Sequence, residues 1–312
     1  MLSGLTKPDV ILTHESDLDG LLSAVLLKRL AQKLYSVETD IKAFHYTEWK
    51  QRQMNERSAW VSDFSFEQRL DKPNWVIIDH HPYDHQPKNA TVIYDDSKSA
   101  GLLCYELCKE AGIQSDELDL LVHYSNVADL FLEEDADFAI ANDYANLVKT
   151  YGFWNLLTLI NGRIESLLNH PLLEVMAVKR KIEDPLGYEW SCQNIIHINN
   201  CVGVVETIIG NNNLIVNRLL EEKTTKYPVL LTLYRRGNGM IFASIRSKNG
   251  EALKVAESLK GGGHPNACGA MLPKSVRSFQ DAIDYIKKML NPTIPKNRGL
   301  NSLDEIFEQF DR

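Results

Sequence analysis

Short apolar runs in this chain end repeatedly on acids and histidines, and that pattern limits the folds open to it. Residues 9–13 (DVILT) read as a buried strand, followed by a polar loop over 14–20. Residues 21–34 then carry apolar side chains at helical spacing, with Lys28, Arg29, Gln32 and Lys33 interspersed. Further strands are expected at 41–46, at 59–62 ending on Asp63, at 75–78 ending on Asp79-His80-His81, and at 92–94. Helices are expected at 99–112, with Gly112 as C-cap, and at 116–129. Strands alternating with helices imply an α/β domain whose mostly parallel sheet is flanked by helices. In such a sheet the carboxyl ends of the strands form the ligand edge, where the polar residues fall.

The pattern changes after this first domain. Residues 144–184 read as helical, and Asp184-Pro185-Leu186-Gly187 breaks the run. A boundary near 185 divides the chain into 1–185, with a helical connector, and 186–312, a smaller α/β domain. The second part is expected to hold a strand at 201–206 and a helix capped by Asn213 and running to Glu222. A hairpin over 228–234 and 240–246 is turned by Arg236-Gly237-Asn238-Gly239, and helices follow at 252–259 and 280–290. The tail from 291 is expected to pack loosely. A length of 312 residues suits two domains, and 44 % apolar with 24 % charged residues excludes a disordered chain.

Net charge is −8 and no basic stripe is visible, which argues against gripping long duplex nucleic acid. No apolar run approaches the ~18 residues of a membrane span, and no signal peptide is read at the N-terminus. Cys104, Cys108, Cys192, Cys201 and Cys268 form no zinc pattern and read as reduced buried thiols, which suits a cytoplasmic protein.

The chemistry lies in four polar ends. His14 to Gly20 (HESDLDG) places two aspartates and a histidine in one turn, and Gly20 permits a tight entry into the helix. Taken alone, Asp17 or Asp19 is an ordinary N-cap. Asp63 alone is a turn aspartate, and Asp129 alone ends a helix. Asp79-His80-His81 at a buried strand end is less ordinary, because histidine is a common metal ligand whose tautomer a carboxylate can fix. Together, these ends bring His, Asp, Asp, Asp, His, His and Asp to one sheet edge. Carboxylates packed so closely repel one another and raise each other's pKa values unless divalent cations intervene. A mixed nitrogen and oxygen set suits Mn²⁺, Mg²⁺ or similar ions such as Co²⁺.

Lys260-Gly261-Gly262-Gly263-His264 is a further feature. Three glycines bare backbone amides that suit a phosphate, and the bland alternative is a helix C-cap followed by a surface histidine. Arg246, at a strand end, offers a bidentate contact to phosphate, with a solvated arginine as its bland alternative. His45, His85, His123, His170 and His197 show no partner pattern. The tryptophans Trp49, Trp60, Trp75, Trp154 and Trp190 read as packing residues.

These residues resemble the DHH phosphoesterases. Asp79-His80-His81 matches the motif that names the family, His14…Asp17-Leu18-Asp19-Gly20 its first motif, and Asp63 and Asp129 fall where its second and fourth motifs fall. Ser244-Ile245-Arg246-Ser247 and the run from Gly261 to Gly269 resemble the DHHA1 substrate-binding domain. The histidine stands three residues before Asp17, where many members place it four before. Val127-Ala128-Asp129-Leu130 lacks the Asp-Thr-Gly form of the nanoRNase subgroup.

The resemblance implies two Mn²⁺ ions, one held by His14, Asp17 and Asp63, the other by Asp19, Asp63, His80 and Asp129. Asp79 would orient a histidine and His81 would face the scissile phosphate. Arg246, Gly261, Gly262, Gly263 and His264 would hold the remote part of the substrate. It further implies a phosphodiesterase acting on short RNA or DNA oligonucleotides or dinucleotides, and is compatible with a homodimer. Cyclic dinucleotides and phosphoadenosine phosphate are alternative substrates, and a non-catalytic nucleotide-binding regulator is an alternative from another class. The missing basic C-terminal motif speaks against an inorganic pyrophosphatase, and the chain length against a RecJ-like exonuclease.

Overall fold

The structure is a computed structural model that describes residues 2–206, 208–235 and 239–291. It divides into two compact units, Met1–Val178 and Lys179 onward.

In the first unit the strands are β1 (Val10–His14), β2 (Asp40–Phe44), β3 (Ala59–Ser62), β4 (Trp75–Asp79) and β5 (Thr91–Tyr94). All pair in parallel, in the order β2-β1-β3-β4-β5. Alternate strand residues serve opposite faces. Ile11, Trp60, Val76 and Ile78 join a core with helix α1 (Leu18–Tyr35), and Val10, Leu12, Val61 and Ile77 join a second core with Trp49 and Phe64. Both faces are therefore covered, as the near-continuous apolar strands require. With this order the chain reverses direction across the sheet between β1 and β3, the place where open α/β sheets take their ligands, at the carboxyl ends of the strands.

Helix α2 (Tyr46–Gln51) follows β2. The helices α3 (Ala100–Glu110), α4 (Asp116–Asp129), α5 (Phe138–Tyr151) and α6 (Phe153–Ile160) complete the unit. Ser99 and Ser115 cap α3 and α4 with their side chains.

Helix α7 (Pro171–Gln193) corrects one expectation: Asp184-Pro185-Leu186-Gly187 lies inside it. Proline removes a backbone donor, but tertiary contacts hold the helix through it. Asp184 Oδ1 accepts from Asn211 N at 2.7 Å, and a Cβ on Gly187 would stand 2.1 Å from the Ile209 carbonyl oxygen. Gly187 thus lets the 209–211 segment lie directly on the helix.

The second unit is built on a mixed sheet of β6 (Ile195–His197), β7 (Val202–Val205), β8 (Val229–Arg235), β9 (Ile241–Ser247), β10 (Gly262–His264) and β11 (Ala267–Met271), in the order β10-β11-β9-β8-β7-β6. Its helices are α8 (Asn212–Glu221), α9 (Glu251–Ser258) and α10 (Phe279–Leu290). Strands β8 and β9 pair antiparallel as expected, while residues 236–238 of their connection and the tail from 292 lie outside the described residues. The cap of α8 is Asn211, whose side chain accepts from Asn213 N and Leu214 N; Asn213 is the second residue of the helix, not its cap. No helix among the described residues is long and apolar enough to cross a membrane.

Two packing expectations need correction. Trp154 and Trp190 are exposed, at 47 % and 42 %, whereas Trp49, Trp60 and Trp75 are fully buried. Cys201 is exposed and Cys192 half-buried, so only Cys104, Cys108 and Cys268 are buried thiols.

Candidate metal centre

The polar cluster forms where β1, β3 and β4 end. Asp17 is the N-cap of α1, so the bland reading holds for it and the functional one is added to it. Its Oδ1 accepts from Gly20 N at 3.1 Å while Oδ2 lies 2.8 Å from His14 Nδ1. Gly20 is required there, because a Cβ would stand 1.9 Å from the His14 carbonyl oxygen. Thr13, held by Ser62, donates to the Gly20 carbonyl and fastens the turn beneath the sheet edge.

Asp63 follows β3 with a φ of +58°, a left-handed conformation uncommon outside glycine. Phe64 explains how this conformation is held: it stacks on Trp49 at 4.0 Å between centroids and meets the edge of the His14 ring. The two oxygens of Asp63 face different partners. Oδ2 is 3.5 Å from His14 Nδ1, and Oδ1 is 3.8 Å from His80 Nε2. His80 Nε2 is also 3.2 Å from Asp129 Oδ2, at the last residue of α4.

Three groups of close donor atoms result: His14, Asp17 and Asp63; Asp19, His80 and Asp129; and Asp63, Asp79, His80 and His81. All eight residues expected at the centre are therefore brought together. Asp79 accepts from His81 N at 3.0 Å and lies 2.8 Å from His81 Nδ1, so the histidine it orients is His81.

The electrostatics are those of closely packed, buried acids. Burial, with repulsion from Asp17 and Asp19, pushes Asp63 up to about 7. Burial and Asp17 likewise raise Asp19 to about 6, against the stabilising hydrogen bonds it accepts. Asp129 is raised well above the carboxylate range by burial and by Asp19, Asp63 and Asp17. Burial would lift Asp17 too, but His14 and Gly20 hold it low. Burial opposes a charged His81, yet Asp79 raises it to about 9. Asp63 Oδ2 and Asp129 Oδ2 are buried and accept no hydrogen bond. Buried acceptors left without donors, among mutually repelling carboxylates and imidazoles, fit divalent cations of the kind that take mixed nitrogen and oxygen ligands.

Residues 203–291 match the DHHA1 domain. The match lies within the second unit, and the chain has the fold of DHH/DHHA1 proteins. Solved structures that share it include two of high coverage of this chain. One is the pGpG-specific phosphodiesterase PggH from Vibrio cholerae, at 15 % identity and a TM-score of 0.53, covering 89 % of this chain and 98 % of that one. The other is RecJ from Thermus thermophilus in complex with Mn²⁺, at 16 % identity and a TM-score of 0.53, covering 93 % of this chain and 53 % of RecJ. At such identities the likeness is one of fold. No curated protein sequence matches the chain.

In the second unit, Arg246 is the next-to-last residue of β9, at the strand end where it was expected. Its Nη2 donates to Asn213 Oδ1 at 3.1 Å and Nη1 to the Ile245 and Cys268 carbonyls at 3.1 and 3.4 Å, and burial lowers its pKa. The glycine run divides: Gly261 closes the C-terminus of α9, its N–H donating to the Ala256 carbonyl at 2.8 Å, and Gly262 and Gly263 lie on β10. Gly261 and Gly263 are needed because a Cβ would stand 2.2 Å from the Gly269 oxygen and 2.7 Å from the Ala267 oxygen. Gly262 alone faces open space, and His264 is exposed at the end of β10.

The sequence reading missed the support of Asp19. Gly101 N donates to both its oxygens, at 3.1 and 3.0 Å, and Ser125 Oγ to one at 2.9 Å. Asn126 Oδ1 accepts from Ser99 N at 2.8 Å and ties α4 to the start of α3. Neither Gly101 nor Ser125 carries a motif; only the helix expected from residue 99 onward lay nearby. Four histidines passed over also have partners. His197 Nδ1 lies 2.9 Å from the Tyr227 hydroxyl, and His170 Nδ1 accepts from Leu172 N at 3.2 Å. His123 lies 3.1 Å from Asp137, and His45 contacts Glu15 and Ser16.

Proposed function

We propose that this protein is a metal-dependent phosphodiesterase that hydrolyses short oligonucleotides or dinucleotides to nucleoside 5′-monophosphates. The observation that carries the reading is Asp63: it is buried and held in a left-handed conformation, and its two oxygens face His14 on one side and His80 on the other. A carboxylate so placed joins two sets of ligands, His14 with Asp17 and His80 with Asp19 and Asp129. Divalent ions there, Mn²⁺ foremost, would supply Lewis acidity at the phosphate and a lowered pKa for the attacking water.

The side chains divide the remaining work. Asp79 fixes the His81 ring through Nδ1, and the raised pKa keeps that ring cationic at neutral pH, a donor suited to a developing phosphate charge. Arg246, with its carbonyl and Asn213 partners, offers a preset guanidinium for the substrate's second phosphate or base. Hydrolysis breaks the phosphodiester P–O bond to the ribose hydroxyl. PggH acts on pGpG, which supports a dinucleotide among the substrates, and RecJ in complex with Mn²⁺ supports the metal.

The test is a rate comparison with Mn²⁺ on a linear dinucleotide, a pentanucleotide, cyclic dinucleotides, phosphoadenosine phosphate and pyrophosphate, for wild type and Asp63→Ala. The expected result is fastest turnover of the dinucleotide or pentanucleotide, collapsing in Asp63→Ala. Wild-type rates in the variant would sink the reading.

A further inference from the structure

The loop between His14 and Asp17 is fastened to the end of β2 by a side chain outside the metal cluster. The parallel pairing of β1 and β2 ends with His14 opposite Phe44, and Glu15 N donates to the Phe44 carbonyl at 3.2 Å. His45 follows, at the N-cap position of α2. Residues at that position usually turn a short oxygen-bearing side chain back onto the helix amides. His45 makes no such cap bond.

Its ring is committed elsewhere. Nδ1 lies 2.7 Å from Ser16 Oγ, and Nε2 lies 2.9 Å from Glu15 Oε1. A carboxylate offers only acceptors, so Nε2 carries the proton. In the neutral ring Nδ1 then accepts from the Ser16 hydroxyl. One imidazole therefore grips the two consecutive side chains that separate His14 from Asp17. With the Glu15 amide bond, three contacts tie a two-residue bridge to the neighbouring strand.

The ring is 48 % exposed, so each contact adds little to global stability. What the contacts fix is where the loop stands. His14 and Asp17 face each other at 2.8 Å, and a small shift of the bridge would separate them. Side chains beyond the ligands commonly set ligand orientation and tune metal affinity in this way.

We propose that His45, through Glu15 and Ser16, is a positioning residue that presets His14 and Asp17 for a divalent cation. The proposal rests on the metal-centre reading above. It is tested by isothermal titration of Mn²⁺ into EDTA-stripped full-length protein, with melting curves of the metal-free forms, for wild type, His45→Ala, His45→Asn and His45→Gln. The asparagine amide overlaps Nδ1 and can keep the Ser16 contact; the glutamine amide overlaps Nε2 and can keep the Glu15 contact.

The expected result for His45→Ala is Mn²⁺ affinity lower by roughly 10-fold, the low end for an orienting group. Its metal-free melting temperature should stay within about 2 °C of wild type, and each amide variant should recover part of the affinity. Unchanged Mn²⁺ affinity in His45→Ala, beside normal binding by wild type, overturns the positioning role alone. So does an affinity loss matched by a large drop in melting temperature and not relieved by either amide. A wild type that binds no Mn²⁺ overturns the metal centre itself.

Discussion

Asp19 and Gly101 meet carboxylate to amide, with the Gly101 N–H donating to both oxygens at 3.1 and 3.0 Å. A Cβ at Gly101 would stand 2.7 Å from Asp19 Oδ1. The two residues come from different helices, and the start of α3 serves as an electropositive seat for a buried acid. Gly101→Ala should therefore push Asp19 off its position toward His80 and Asp129. Mn²⁺-dependent kcat on a dinucleotide should fall about 10- to 100-fold, as for other groups that orient ligands. The circular dichroism of the variant should remain that of wild type. An unaltered kcat would show that Asp19 tolerates displacement.

That pair also marks where sequence reading stops. The strands and the acids at their ends were legible because the signal is local: an apolar run, then a polar residue, in sequence order. His14, Asp17, Asp63 and Asp79-His80-His81 all sit at such ends and converge as expected. Gly101 and Ser125 carry no local signal, since their role exists only when α1, α3 and α4 pack around Asp19. Pro185 misled for the same reason. Its local effect is to break a helix, while the approach of the 209–211 segment over Gly187 is tertiary. The glycine run showed the limit in the other direction, because two of its three glycines answer to strand packing.

The carboxylates predict an unusual pH dependence for the metal-free protein. Asp63 at about 7 and Asp19 at about 6 lie above the ordinary carboxylate value. Between that value and their folded pKa values, the folded chain holds protons that the unfolded chain has released. Stability is then lost as pH rises through this window, from about 4 to about 7. His81, raised to about 9, extends the loss on the alkaline side, between its ordinary value near 6.5 and about 9. Melting in EDTA should show a temperature that falls from pH 5 to pH 8. Saturating Mn²⁺ should raise it most at the alkaline end, by about 2.7 kcal/mol of stability at 100 times Kd. A metal-free melting temperature that rises over this range would contradict the burial argument.

Asp63→Asn separates the charge of this residue from its shape. The amide keeps the size and removes a repelling carboxylate, so the metal-free variant should melt higher than wild type at pH 8. Calorimetric titration should show weakened Mn²⁺ binding, and turnover should fall by about three orders of magnitude, in line with loss of a shared ligand. A variant that both melts lower without metal and binds Mn²⁺ normally would remove Asp63 from the centre.

Arg246 is held by neutral acceptors, Asn213 Oδ1 and the Ile245 and Cys268 carbonyls, and its charge remains available to an anion. Arg246→Lys keeps the charge but loses the planar fork that suits phosphate. Its KM for a dinucleotide should rise about 10-fold, about 1.4 kcal/mol, with kcat within a few-fold of wild type. Asn213→Ala should move KM in the same direction by less, because it frees the guanidinium without removing it. A change confined to kcat in either variant would place Arg246 at the reacting phosphate instead.

The glycine run gives a contrast within three residues. A methyl at Gly262 meets nothing within 4 Å, whereas one at Gly261 would stand 2.2 Å from the Gly269 carbonyl oxygen. Gly263 adds a φ of +139° to a close approach on Ala267. Gly261→Ala and Gly263→Ala should each destabilise by at least about 1 kcal/mol, read as a lower denaturant midpoint. Gly262→Ala should stay within about 0.5 kcal/mol of wild type, as an open surface position does. Kinetics then decide what Gly262 contributes. If its bare backbone lets a phosphate approach, the stable Gly262→Ala protein will show a raised KM for the dinucleotide. If KM is unchanged, the run is glycine-rich for the sake of β10 and β11 alone.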